Sequence, residues 1–256
     1  MAATPDDHAL ARRLAVEAGE LLVELRASLE RDGARPSEVK AAGDRRSHLF
    51  LIEQLAARRP ADEVLSEESG GETVAGMISR TSATRCWIVD PLDGTREYGE
   101  PGRSDWAVHV ALCIDGHPVV GAVSLPADGL VFATADPPPF PPPVTPPTVV
   151  VSRSRPPASA QRVARALGAV QQPLGSAGAK AMAVVRGHAS AYPHSGGQYE
   201  WDSCAPVAVA LSTGLWCSRL SGEPLQYNRP DPYLPDLLIC RPDVAATAIA
   251  AAEWFL

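Results

Sequence analysis

A chain of 256 residues, 45% hydrophobic and 21% charged, suits one large folded unit or two modest ones with a sizeable core. Its formal net charge of −7 argues against a broad basic surface for nucleic acid or anionic membrane but does not forbid a small nucleotide ligand held by metal and one or two basic side chains. Five scattered cysteines (Cys86, Cys113, Cys204, Cys217 and Cys240) form no paired motif, which argues against a disulfide framework or zinc site and for a reducing, cytoplasmic setting.

The first residues, with Asp6 and Asp7, lack a basic-then-apolar leader pattern, and no stretch approaches the ~18 apolar residues of a membrane span. Residues 6–30 read as one amphipathic helix, with Leu10, Leu14, Ala18, Leu21, Leu22, Leu25 and Leu29 at helical spacing. Residues 31–43, with Gly33, Pro36 and Gly43, read as a loop. Asp44 then stands where the N-cap of a second helix through Leu49, Ile52 and Leu55 belongs. A short strand through Val64 and Leu65 leads to Glu67 and Glu68, and Gly70, Gly71 and Gly76 predict a flexible surface segment.

Cys86, Trp87, Ile88 and Val89 predict a buried strand that ends at Asp90, because Pro91 breaks its ladder. Residues 106–114 and 119–125 pattern as a hairpin about Asp115-Gly116-His117-Pro118, with 130–134 as a third strand. Residues 136–147 carry eight prolines and predict an extended polyproline loop, where the chain divides into parts 1–135 and 148–256. Without basic flanks this reads as a connecting loop before a docking motif. Beyond it, strands are expected at 148–151, 189–192 and 237–240, and helices at 157–167, 177–186, 202–211 and 244–255. Strands and helices mix without strict alternation, so the fold class is layered α/β or α+β.

Asp90 and Asp93, on one turn, can converge on a hard cation, which takes oxygen ligands. Gly94 and Thr95 leave backbone N–H groups that can hold a phosphate. The same string also serves as a plain turn and helix cap. Pro91 and Leu92 both separate the acids, where haloacid-dehalogenase-like enzymes place one residue, so a phospho-aspartate mechanism fits poorly.

Asp90-Pro91-Leu92-Asp93-Gly94-Thr95 resembles the first signature of the inositol monophosphatase-like phosphatases, which are magnesium-dependent and lithium-sensitive. Trp201-Asp202-Ser203-Cys204-Ala205-Pro206 is similar to their second signature, and Ser66-Glu67-Glu68-Ser69 to the glutamate motif that precedes the first. Gly175-Ser176-Ala177-Gly178-Ala179-Lys180 and Leu225-Gln226-Tyr227-Asn228 resemble segments of the CysQ-type 3'(2'),5'-bisphosphate nucleotidases. The resemblance implies a layered αβαβα sandwich with the site between two subdomains and a homodimer as one possible assembly. It also implies hydrolysis of the 3'-phosphate of 3'-phosphoadenosine 5'-phosphate to AMP and phosphate, linked to sulfate assimilation. Inositol-1-phosphate or fructose-1,6-bisphosphate would use the same site. The alternative of another class is a non-catalytic nucleotide sensor or scaffold working through the proline-rich loop.

Carried over residue by residue, the resemblance assigns Glu67, Asp90 and the Leu92 carbonyl to one magnesium ion and Asp90, Asp93 and Asp202 to a second. A third, weaker ion would lie near Glu67 and Asp44. Thr95 would align the attacking water, with Asp44 or Glu67 accepting its proton. Asp93, Gly94, Thr95, Ser152, Arg155, Ser176, Lys180 and Asp202 would meet the substrate, Arg155 standing where the family usually has a histidine. Plainer readings stay open: Asp44 and Asp202 as helix N-caps, Lys180 as a solvated lysine, and His188 and His194 as structural residues.

Overall fold

The computed structural model describes residues 2–69 and 73–252. Gly70 and Gly71, and residues 253–255 of the expected closing helix, lie outside the described residues. Helix α1, Pro5–Arg31, starts with a reciprocal cap, in which Thr4 Oγ1 accepts the Asp7 N–H at 3.3 Å and Asp7 Oδ2 accepts the Thr4 N–H at 2.9 Å. Helix α2 runs Pro36–Arg58, so the expected loop at 31–43 shrinks and Asp44 sits inside a helix instead of capping one. Proline suits the first position of a helix, where no N–H is needed, and Glu38 Oε2 accepts the Arg35 N–H there at 2.8 Å. Gly43, also assigned to the loop, is a packing contact. A Cβ there would come within 2.6 Å of Tyr98 Cε1 and 2.9 Å of Leu92 Cδ2.

The first sheet contains β1 (Glu63–Ser66), β2 (Arg85–Asp93), β3 (Ala107–Ile114), β4 (His117–Leu125) and β5 (Leu130–Ala133), in that order. β1 is parallel to β2 and the remaining pairs are antiparallel. Two expectations change here. Pro91 does not end β2, because a register shift between Asp90 and Asp93 absorbs it. Part of the segment expected to be flexible is helix α3, Val74–Ser82, capped by Thr73 Oγ1 on the Gly76 N–H at 3.1 Å. After β2 comes the four-residue helix α4, Thr95–Tyr98.

Residues 136–147 form no helix or strand. They are pinned by Arg241, whose guanidinium lies 4.9 Å from the Phe140 ring centroid and donates to the Pro141 carbonyl. The second sheet has the order β7-β6-β8-β10-β9. Its strands are β6 (Thr148–Ser152), β7 (Val170–Leu174), β8 (Ala191–Tyr199), β9 (Trp216–Ser218) and β10 (Tyr233–Cys240). β7 was not expected, because its Val-Gln-Gln-Pro-Leu string has little apolar content and lies on an edge, where proline is tolerated. Three-residue β9 is too short to pattern. Helices α5 (Ala158–Ala166), α6 (Ala177–Val185), α7 (Glu200–Ser212) and α8 (Pro242–Ala252) complete the chain's described part.

Three cores stack the elements as α, β, α, β, α. One face of the first sheet (Trp87, Val89, Val108, Val110) packs on α1 and α2 through Leu14, Leu22 and Leu51. Its other face (Ile88, Ala111, Cys113) meets α6 and α7, which also cover Leu237 and Ile239 of the second sheet. The far face of that sheet (Val149, Val151, Leu238) packs on α5 and α8. No described helix is long and apolar enough to cross a membrane, and all five cysteines are free thiols.

Asp7 ties α1 to both α2 and the sheet, accepting from Arg59 Nε at 2.8 Å and Arg85 Nη2 at 3.1 Å. Burial works against its ionisation, but the Thr4 N–H and the two guanidinium groups outweigh that and hold its pKa at about 2. A depressed carboxyl pKa stabilises the fold above the ordinary 3.8, and that contribution is lost as pH falls toward about 2. Wild type is therefore expected to melt higher than Asp7→Asn at neutral pH, with the gap in Tm closing between those two values. A gap that stays constant across this range would rule out the ionic role.

Candidate active site

The bulge in β2 aims two of its carboxylates the same way, and the first turn of α7 brings a third. One oxygen from each of Asp90, Asp93 and Asp202 lies within 4.8 Å of the others. Asp202 is the third residue of α7 and accepts the Tyr199 N–H at 2.7 Å, so it supports the helix start without being the N-cap expected of it. Glu67, on the short 3-10 turn Glu67–Ser69 that follows β1, meets the carboxyl of Asp90. Two carboxyls in contact need a shared proton or a cation between them.

The charges behave accordingly. Burial and then the neighbouring Asp202 raise Glu67 to about 7, and burial followed by Asp93 raises Asp202 to about 7. Asp90 is pushed well above the carboxylate range by burial, then by Glu67, Asp93 and Asp202. Asp93 goes the other way. Burial opposes its charge, but His109, Lys180 and the Gly178 N–H stabilise it and its pKa falls. An all-oxygen set of crowded, mutually repelling carboxyls fits a hard divalent cation, whose charge would relieve the repulsion.

Gly94 turns the chain out of β2 at φ +84°, a conformation that favours glycine, with Ser176 Cβ only 2.9 Å from where its own Cβ would stand. That turn presents Thr95, whose Oγ1 lies 3.0 Å from Asp44 Oδ1 and 3.1 Å from the Leu92 carbonyl oxygen. Leu92 in turn gives its N–H to Asp90 Oδ1 at 3.0 Å. Burial raises the Asp44 carboxyl to about 6 against the hydrogen bond from Thr95. Thus Asp44, Leu92 and Thr95 form one connected group joined to Asp90.

Helix α6 docks onto Asp93 from the second half of the chain. Asp93 Oδ1 accepts the Ala177 N–H at 3.0 Å and Oδ2 the Gly178 N–H at 2.6 Å, so the helix N-terminus faces a carboxylate. His109 Nε2 stands 3.2 Å from Asp93 Oδ2, while its Nδ1 meets the Trp201 carbonyl at 3.1 Å. Sequence reasoning missed His109, although it interrupts an otherwise apolar strand face shared with Ala107, Ala111 and Cys113. Gly178 is tied to this geometry, since a Cβ there would run into His109 Nε2.

Lys180 is not a solvated lysine. Its Nζ donates to the Gly175 and Ser176 carbonyls at 2.6 Å each and lies 5.4 Å from the Tyr192 ring centroid. Ser176 caps α6, its Oγ accepting the Ala179 N–H at 2.9 Å. Ser152 and Arg155 pair with each other, Ser152 Oγ accepting the Arg155 N–H at 3.2 Å, and the Arg155 side chain is exposed. The neighbouring Arg153 is the one that crosses between halves, donating to Glu97 Oε1 at 2.7 Å and Glu100 Oε1 at 2.9 Å. Behind Asp202, buried Glu200 accepts the N–H groups of Asn228 at 2.6 Å and Arg229 at 2.9 Å. Asn228 also bonds Arg80 of α3 in both directions, which links the arm carrying Glu67 to the arm carrying Asp202. His188 and His194 make no contact with the acidic cluster among the described hydrogen bonds, and His194 Nε2 meets its neighbour Gly196 O at 3.0 Å.

Residues 7–255 match the family model described as the inositol monophosphatase family. The 3'-phosphoadenosine 5'-phosphate phosphatase of Mycobacterium tuberculosis is 46% identical over 247 residues, covering 92% of this chain and 89% of that protein. The 3'(2'),5'-bisphosphate nucleotidase CysQ of Escherichia coli K12 is 29% identical, covering 87% and 94% respectively. Among solved structures, an inositol monophosphatase from Zymomonas mobilis superposes with a TM-score of 0.76 at 21% identity, over 99% of this chain and 100% of that one. This last likeness concerns the fold.

Proposed function

The chain belongs to the inositol monophosphatase family, and from that premise we infer that it hydrolyses the 3'-phosphate of 3'-phosphoadenosine 5'-phosphate, giving AMP and phosphate. The observation that carries this reading is the convergence of Asp90, Asp93 and Asp202 in a chain 46% identical to a phosphatase of that substrate.

Glu67, Asp90 and the Leu92 carbonyl would hold one magnesium ion, and Asp90, Asp93 and Asp202 a second, with a third, weaker ion near Glu67 and Asp44. Bound magnesium would polarise the ester phosphate, stabilise charge on the attacking and leaving oxygens, and lower the pKa of a water. The chain's own residues do the rest. Gly94 shapes the turn so that backbone N–H groups face the phosphate. Thr95, its hydroxyl engaged by Asp44 and the Leu92 carbonyl, offers its lone pairs to orient the water. Asp44, with a pKa of about 6, accepts the water's proton as the new P–O bond forms. The bond to the 3'-oxygen then breaks, and that oxygen takes a proton from solvent. Ser152, Arg155, Ser176 and Lys180 complete the substrate side, with Lys180 acting through its charge from beneath the first turn of α6.

In this reading the 1–135 part supplies most metal ligands and the 148–256 part supplies Asp202 and the substrate segments. Clearing the nucleotide by-product serves sulfate assimilation in the cytoplasm. The test is magnesium-dependent phosphate release from the bisphosphate nucleotide, inositol-1-phosphate and fructose-1,6-bisphosphate. The nucleotide is expected to have the highest kcat/KM, and a preference for either sugar phosphate would contradict the assignment.

A further inference from the structure

Three aromatic rings gather where β8 runs into α7, beside Asp202. Tyr199 and Trp201 stack with ring centroids 4.8 Å apart and planes 7° from parallel, and Tyr233 meets Tyr199 edge-on at 5.7 Å. Tyr199 and Tyr233 are a register pair at the end of the β8–β10 ladder. Tyr199 is 41% exposed and Tyr233 38%, whereas Trp87, Tyr98, Trp106, Tyr192 and Tyr227 are each at most 2% exposed. Core packing therefore accounts for those five rings and not for this pair. Gly196 and Gly197, unpaired at the register shift of β8 just before Tyr199, would place a Cβ in open space, so no side chain from these positions covers the rings.

The backbone beneath the rings is fixed by the site itself. Tyr199 gives its N–H to Asp202 at 2.7 Å, the Trp201 carbonyl meets His109 Nδ1 at 3.1 Å, and Glu200 between them is anchored to Asn228 and Arg229. The ring positions are thus tied to Asp202 directly and to Asp93 through His109. A rigid, open aromatic stack next to a phosphate site suits a flat, uncharged ring carried on the same substrate. A nucleobase has that shape and charge, whereas inositol and fructose phosphates have no such ring.

We propose that Tyr199 and Tyr233, with Trp201 of the shared signature stacked against Tyr199 as their support, form a base-stacking platform that selects nucleotide substrates over sugar phosphates. The proposal rests on the reading of the substrate as a nucleotide. Base–aromatic stacking changes affinity on the order of tenfold or more per base. Tyr199→Leu and Tyr233→Leu change exposed side chains and keep the backbone bond to Asp202, and Trp201→Phe keeps an aromatic ring against the core.

The experiment measures kcat and KM for the adenosine bisphosphate and for inositol-1-phosphate, with magnesium, in wild type and in these variants after circular dichroism has verified their folding. In Tyr199→Leu the KM for the nucleotide is expected to rise about tenfold. The ratio of kcat/KM for the nucleotide over inositol-1-phosphate should fall by a similar factor. AMP should quench tryptophan fluorescence of wild type, and this quenching should shrink in Trp201→Phe. If wild type prefers the nucleotide but every variant keeps the wild-type ratio, the platform is wrong and the substrate reading stands. If wild type prefers inositol-1-phosphate, both fall together.

Discussion

Asp93→Asn is expected to stay folded and to lose phosphate release by about a hundredfold or more. The substitution is nearly isosteric, so the β2 bulge and the buried packing around it are retained. What changes is charge and hydrogen-bond polarity. Each Asp93 oxygen accepts a separate backbone N–H, from Ala177 and Gly178. Asparagine has one acceptor, so its NH2 group must face one of those donors, and the α6 N-terminus loses its anion. His109 and Lys180 also lose the carboxylate that balances them. A cation between Asp90 and Asp202 would then have one charged ligand fewer. Steady-state rates with a thermal melt on the same preparation make the test, and near-normal turnover in a folded variant would sink the role given to Asp93.

Asp90→Asn is expected to abolish activity to a comparable degree while making the metal-free protein more stable. Asp90 is 1% exposed and surrounded by Glu67, Asp93 and Asp202, all of which oppose its charge. Folding without a cation therefore has to neutralise a carboxyl or bear the repulsion. An asparagine removes that repulsion and keeps an oxygen for the Leu92 N–H, which Asp90 Oδ1 accepts at 3.0 Å. A gain of ~1 kcal/mol corresponds to a Tm rise of roughly 2–4 °C for a chain of this size. Magnesium should reverse the order. At a hundred times Kd a bound ion adds about 2.7 kcal/mol to the wild type, and less to a variant that has lost the bridging ligand. Melts with and without magnesium decide it, and a metal-free Asp90→Asn protein that melts below wild type would show that crowding is not what raises Asp90.

How far the sequence led depended on the kind of residue. Asp90 and Asp93 stood out as two acids on one turn at the end of an apolar run, a string that also serves as a plain turn and cap, whereas Glu67 and Asp202 were picked out only because their motifs resemble the family's signatures. The strands of the first sheet were legible for a related reason. β3 and β4 are long apolar runs bounded by turn residues, and their hairpin falls where Asp115-Gly116 placed it. Helix boundaries were harder, because proline and glycine carry opposite meanings by position. Pro36 opens α2 and Gly43 packs inside it, yet both look like loop residues in isolation. Tertiary partners were hardest of all. Lys180 looks like a surface lysine until Gly175, Ser176 and Tyr192 surround it. Arg153 and Arg155 differ only in what they meet, and nothing local says that Arg153 reaches Glu97 across the two halves.

The order of the acids along the chain bears on synthesis. Asp44, Glu67, Asp90, Asp93 and Thr95 all precede the proline-rich segment, whereas α6 and Asp202 follow it. A nascent chain that has released only its first sheet from the ribosome would carry a partial set of the proposed ligands, with Asp93 not yet docked on α6. On the proposed ligand set, such a chain would lack Asp202 and would have no completed centre with which to hydrolyse a phosphate ester. Hydrolytic competence would then arrive late, when the start of α7 brings Asp202 to Asp90 and Asp93. The order of the acids along the chain would thereby keep an unfinished hydrolase silent without a separate inhibitor.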